Sequence, residues 1–152
     1  MSLTVKWVFF DLGSTLIDET AADKRRIKEM ISGTDITEEE YREKRLEMIR
    51  KGRNGDLSAI EYFALTKTPW HSEDEVPYPD AVPTLAELTR RGYKLGVIAN
   101  QNYGTKLRLK SWNLLRFFEV IAASAELDMA KPDPAIFEWA LKQADCSPQN
   151  AV

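Results

Sequence analysis

The sequence has little of what disulfide, zinc and membrane chemistry require. It carries one cysteine, Cys146, and one histidine, His71, in 152 residues. A single cysteine cannot close an internal disulfide, which favours a reducing, cytoplasmic setting. One histidine with one cysteine excludes the common zinc sites, and a Ser-His-Asp triad would have to run through His71. Any metal chemistry must therefore use oxygen ligands. No apolar run approaches the ~18 residues of a membrane helix. The run Trp7-Val8-Phe9-Phe10 is ended by Asp11, so no secretory signal is expected. Neither sign of charge dominates: 21 Lys+Arg face 24 Asp+Glu, a net charge of −3. That balance gives no pull toward nucleic acid or an anionic membrane.

What is present suffices for a folded domain of modest size, with 43% hydrophobic and 30% charged residues. Three short apolar runs read as strands: Thr4 to Phe10, Lys94 to Ala99 and Glu119 to Ala123. They are near-continuous rather than alternating, which is the pattern of a parallel sheet covered on both faces. Helices are expected over Asp80 to Arg91, stopped by Gly92, and over Tyr103 to Trp112. A further helix opens at Asp133-Pro134, with Asp133 as N-cap and Pro134 in the first helical position, and runs to about Gln143. Helices alternating with strands from residue 80 onward imply a doubly wound α/β architecture.

Residues 17 to about 78 differ. Thr20 is placed to cap a helix ending near Gly33, Thr37 and Glu40 form a capping box for a second ending near Gly52, and Asp56 caps a third through about Thr66. Three prolines and the acidic Glu73-Asp74-Glu75 run mark Thr66 to Pro79 as a return linker. The basic residues of residues 21–70 number 11 against 10 acidic ones, the balance of a solvated helix surface laced with i,i+4 pairs rather than of a basic patch.

Three segments carry chemistry. In Val8-Phe9-Phe10-Asp11-Leu12-Gly13-Ser14-Thr15-Leu16 an apolar strand delivers an aspartate into a small-residue turn. Ligands of open α/β sheets bind beyond the strand carboxyl ends. A carboxylate there can attack phosphorus, bind a metal, or simply cap its turn. Lys131-Pro132-Asp133-Pro134 sets an ammonium beside a helix start, an arrangement that suits an anion. Val97-Ile98-Ala99-Asn100-Gln101 ends a strand with Asn100 and backbone amides able to donate to an oxyanion.

In this order the three segments resemble the haloacid dehalogenase (HAD) superfamily of hydrolases, over essentially the whole chain. The resemblance implies a HAD-like doubly wound α/β core of residues 1–16 and 79–152, with residues 17–78 as an inserted helical cap of the C1 type and its linker. It implies Asp11 as the nucleophile and a magnesium ligand, and the Gly13 carbonyl as a second ligand. Thr15 helps to set the turn, Ala99 and Asn100 lie at the phosphoryl-binding position, and Lys131 steadies nucleophile and phosphate. The function implied is a magnesium-dependent phosphatase acting on a small phosphorylated metabolite through an aspartyl-phosphate.

Departures from the family pattern weigh on turnover. Gly13 stands where an aspartate usually serves as general acid/base, an effect worth roughly 10²–10⁴-fold. Ala99 stands where a hydroxyl usually holds the phosphoryl group, a donor worth about 1–3 kcal/mol. Gln149 to Val152 falls where the family's fourth strand begins, so the acidic loop that completes the magnesium shell lies beyond the sequence, and Thr4 to Phe10 is expected to be a bare edge open to self-association. Two alternatives stay open: a phosphate-ligand binding or regulatory protein on the same fold, and a 2-haloacid dehalogenase. His71 reads as an exposed loop residue and Cys146 as a packing residue.

Overall fold

The computed structural model describes residues 4–152, so the first three residues of the expected core lie outside the described residues. The chain divides into two compact units, one made of residues up to 18 together with Val76–Val152, the other of Glu19–Glu75.

The first unit is built on a parallel sheet of β1 (Trp7–Phe10), β4 (Lys94–Ala99) and β5 (Phe118–Ala123), in the order β1-β4-β5. Between these lie the two-residue strands β2 (Ile17–Asp18) and β3 (Val76–Pro77), an antiparallel ribbon at the points where the chain leaves this unit and returns. β4 is buried from Leu95 to Ala99 because both of its faces are covered. On one face Leu95, Val97 and Ala99 join Leu85 of α4 (Ala81–Arg90) and Leu109 of α5 (Thr105–Ser111) in one apolar cluster. On the other, Ile98, Val120 and Ala122 pack with Ile136 and Ala140 of α7 (Pro134–Gln143). The doubly wound α/β reading is thus borne out, and its physical basis is burial on both sides of the sheet.

Two expectations about β1 need correction. The strand starts at Trp7 rather than Thr4. Its outer edge is not bare, because Lys6 N–H donates to the Asn150 carbonyl at 2.8 Å, Phe9 N–H to the Val152 carbonyl at 2.7 Å, and Val152 N–H to the Trp7 carbonyl at 3.1 Å. Trp7 and Ala151 form a parallel bridge, so the outer edge of β1 is paired within the chain.

The second unit holds α1 (Thr20–Ile31), α2 (Glu38–Arg50) and α3 (Gly55–Tyr62). The Thr37–Glu40 capping box forms, with the Thr37 hydroxyl accepting from Glu40 N–H and the Glu40 carboxylate accepting from Thr37 N–H. The expected caps Thr20 and Asp56 do not act as caps. Glu19 precedes α1, and Asn54 caps α3 by accepting from Leu57 N–H at 3.0 Å. Asp56 instead accepts from Arg26 Nη1 at 2.7 Å and from the Tyr41 hydroxyl at 2.8 Å, uniting the three helices. His71 is not a free loop residue: its ring nitrogens lie 2.7 Å from Glu29 and 3.1 Å from Glu73.

Candidate active site

The site forms at the carboxyl end of the parallel sheet, where β1, β4 and the segment after β5 deliver their polar residues. Leaving β1, Asp11 enters a tight turn in which the Leu12 carbonyl accepts from Thr15, Leu16 and Ile17 N–H, while Ser14 N–H donates to the Ile17 carbonyl. Ser14 holds a left-handed φ of 57°, which bends the chain back on itself. Thr15 sits exposed in this turn, and its backbone N–H is one of the bonds that closes it. The Gly13 carbonyl takes none of these bonds.

Asp11 is half-exposed, and its Oδ1 accepts from Leu12 N–H at 2.8 Å and lies 3.0 Å from Lys131 Nζ. Both contacts end on the same oxygen, so Oδ2 keeps its lone pairs for attack on an electrophile or for a cation. Asp11 and Lys131 are also the charged residues lining an otherwise apolar cavity of about 320 Å³ whose walls include Phe9, Ile98, Phe137 and Leu141.

Asn100 follows β4 and meets the backbone of Lys131. Its Nδ2 donates to the Lys131 carbonyl at 2.9 Å, and its Oδ1 accepts from Lys131 N–H at 2.7 Å. The amides after Asn100 are not all available to an oxyanion, since Gln101 N–H donates to the Ser124 hydroxyl at 3.0 Å. Ala99 is fully buried, and its methyl packs in the apolar cluster. The sequence reading missed Ser124 and Glu126 in α6 (Ser124–Leu127), which accept from Gln101 N–H and Thr105 N–H and so tie down the loop after β4. A polar pair directly after an apolar strand was the available signal. Past Lys131, Asp133 accepts from Ala135 N–H at 2.9 Å, the N-cap expected for α7.

The residues that could hold a metal here are Asp11, through its free Oδ2, and Gly13, through its backbone carbonyl. No cluster of three or more His, Cys, Asp or Glu residues occurs among the described residues. Hard oxygen donors with few protein ligands suit magnesium, which retains waters and takes phosphate oxygens, rather than a softer ion. No helix among the described residues is long and apolar enough to cross a membrane.

The arrangement is a strand-end carboxylate paired with a lysine from a later loop, at the carboxyl end of a Rossmann-like parallel sheet. The family model for haloacid dehalogenase-like hydrolases matches residues 8–152. The chain is 32% identical to a glyceraldehyde 3-phosphate phosphatase of Methanothermobacter thermautotrophicus, covering 97% of this chain and 75% of that one. It is 30% identical to the protein of the same name from Methanopyrus kandleri, covering 97% and 74%. A HAD phosphatase of Thermococcus onnurineus superposes with a TM-score of 0.66 at 26% identity, covering 97% of this chain and 75% of that one. The chain belongs to the haloacid dehalogenase-like hydrolases, and the two relatives at 30% identity or more over nearly its whole length are named phosphatases.

Proposed function

We propose that the protein is a magnesium-dependent phosphatase that works through a phosphorylated Asp11. The observation that carries this reading is the Asp11–Lys131 pair at 3.0 Å with both contacts on one carboxylate oxygen. Oδ2 attacks phosphorus in line, the bond to the leaving oxygen breaks, and water then hydrolyses the acyl phosphate to release phosphate and restore Asp11. The Lys131 ammonium offsets negative charge on carboxylate and phosphoryl group, which otherwise repel one another. The Asp11 carboxylate and the Gly13 carbonyl would hold magnesium, which when bound would neutralise charge on phosphoryl oxygens. Because Gly13 has no side chain to protonate a leaving group, turnover favours phosphates with good leaving groups, such as aryl or acyl phosphates.

The relatives' named substrate, glyceraldehyde 3-phosphate, fits the expected class of small phosphorylated metabolites and is the first natural compound to test. We assign the helical unit, Glu19–Glu75, the cap's task of selecting among such compounds. The test is phosphate release from glyceraldehyde 3-phosphate and from an aryl phosphate, with magnesium and with chelator. Asp11→Asn abolishes release while leaving the fold intact, and chelator reduces it at least about 10²-fold. No release by the unaltered chain from either compound refutes the reading and leaves a phosphate-binding role on the same fold.

A further inference from the structure

We infer that Asn100 is a positioning residue for Lys131 rather than a ligand for the substrate's phosphate. The inference deepens the phosphatase reading and rests on it for its kinetic part. An asparagine side chain is an amide with one acceptor and one donating nitrogen, so it can pair with both backbone groups of a single residue. Asn100 does this with Lys131, its Oδ1 at 2.7 Å from the amide nitrogen and its Nδ2 at 2.9 Å from the carbonyl oxygen. Only one flip of the amide satisfies both bonds. In effect the side chain adds one rung beyond the end of β4.

The need for such a rung follows from where Lys131 lies. Between the end of α6 and the start of α7 the chain has no regular structure, and Asp128 there holds a left-handed φ of 53°. A lysine reaches its target on a flexible four-carbon stem, so a wandering backbone would scatter the ammonium. Asn100 has a rigid footing, because β4 is buried up to Ala99 and the next amide, Gln101, is held by the Ser124 hydroxyl at 3.0 Å. The order of β4 therefore passes through Asn100 to the backbone of Lys131 and from its Nζ to Asp11 Oδ1 at 3.0 Å. Aspartate at position 100 would keep the acceptor but set a carboxylate against the Lys131 carbonyl. Alanine would remove both bonds.

The experiment compares the full chain with its Asn100→Ala and Asn100→Asp variants, using an aryl phosphate as substrate and inorganic phosphate as competitive inhibitor. A displacement of the ammonium costs about 10²-fold in kcat in Asn100→Ala, whereas KM and inhibition by phosphate weaken far less than in Lys131→Ala, because the ammonium is displaced rather than removed. A merely structural residue does not produce that split. Hydrogen exchange at the Lys131 amide gives a second readout: protection is lost in Asn100→Ala and kept in Asn100→Asp, whose carboxylate still accepts the N–H. If instead KM and the phosphate inhibition constant rise together with kcat intact, Asn100 is a phosphate ligand and the inference is overturned. Should the unaltered chain release no phosphate, the phosphatase reading fails, and the exchange pattern alone decides whether the clamp exists. Should Asn100→Ala not fold, Asn100→Leu, which keeps the volume but neither hydrogen-bonding group, carries the same kinetic and exchange comparison.

Discussion

The two units are held together by different physics. In the α/β unit, side chains such as Leu85, Leu95, Leu109 and Ile136 are removed from water on both faces of a sheet. The helical unit has far less to bury: its fully enclosed cluster is Ile27, Met30, Tyr41 and Ala59. It compensates with ion pairs that cross between helices. Asp23 on α1 meets Arg45 at 2.6 Å and Arg42 at 2.8 Å on α2. Burial alone would push the Asp23 carboxyl up, but hydrogen bonds and charge from Arg45 and Arg42 hold it below its ordinary value. A unit of few residues cannot enclose a large core, and directional polar contacts then fix helix against helix. In the α/β unit, by contrast, the contacts linking Asp11, Asn100, Lys131, Ser124 and Glu126 gather beyond the strand ends. Polar contacts inside the helical unit build structure, whereas those at the sheet's carboxyl end build a site.

The largest effect that tests this contrast is a cavity in the α/β core. Leu109→Ala removes a side chain that is fully buried against α4 and the sheet. It is expected to destabilise by about 2–5 kcal/mol, the range for lost transfer energy plus the void left behind, as measured by urea unfolding followed through tryptophan fluorescence. A loss below about 1 kcal/mol for Leu109→Ala would break the contrast, since it would mean the α/β core does not rest on apolar burial.

Asp56→Ala is the corresponding lesion in the helical unit. The Arg26 side chain is 8% exposed, and Asp56 supplies its carboxylate at 2.7 Å while also accepting from the Tyr41 hydroxyl. Removing the carboxylate leaves the Arg26 guanidinium with only its Nε bond to the Thr68 carbonyl and strands the Tyr41 phenol, at an expected cost of about 2–3 kcal/mol once the partial exposure of Asp56 is allowed for. Asp56→Asn keeps an acceptor for Tyr41 and falls between. The control is Glu87→Gln on α4, whose exposed bridges to Arg90 and Arg91 leave unfolding unchanged when broken. Equal effects of the two lesions would show that the ion pairs of the helical unit are surface decoration.

How far each unit was legible in the sequence follows the same division. Where local chemistry decides, the sequence was readable: Asp133-Pro134 opens α7, Thr37 and Glu40 close their box, and Gly92 ends α4 with a φ of 87°. The nucleophile candidate Asp11 and Lys131 were legible because a strand-end carboxylate and a lysine before Pro-Asp-Pro are local patterns, and the structure brings them to 3.0 Å. Where distant residues decide, the reading failed. Asp56 looked like a cap because aspartate caps helices, yet Arg26 and Tyr41, remote in sequence, recruit it. The ribbon of β2 and β3 has two residues on each side, too short for any periodicity to show. The same limit hid the role of Asn100, whose partner is the backbone of Lys131 and leaves no mark on residue type.

The smallest expected effect concerns pH and confines itself to the helical unit. His71 donates toward Glu29 at 2.7 Å through Nε2 and toward Glu73 at 3.1 Å through Nδ1, a pattern that only the imidazolium can satisfy at both nitrogens. The hydrogen bond to Glu29 raises its pKa above 6.5, with Glu73 adding to the rise, while burial and the neighbouring Arg25 charge oppose it. Arg25 is in turn engaged by Glu29, Glu73 and Asp74. A group whose pKa is raised on folding contributes its full stabilisation below the unfolded value and loses it as pH rises through the folded one. The helical unit is therefore expected to weaken slightly as pH rises from about 6.5, while the α/β unit, which has no histidine, does not follow. Because His71 is the one histidine of the chain, its ring resonances titrate without overlap. They should report a pKa above 6.5 that falls in Glu29→Gln further than in Glu73→Gln, since the shorter bond and the larger share of the shift belong to Glu29. Titration at the ordinary histidine value, unmoved by either substitution, would mean that the return segment is not latched to α1 by this pair.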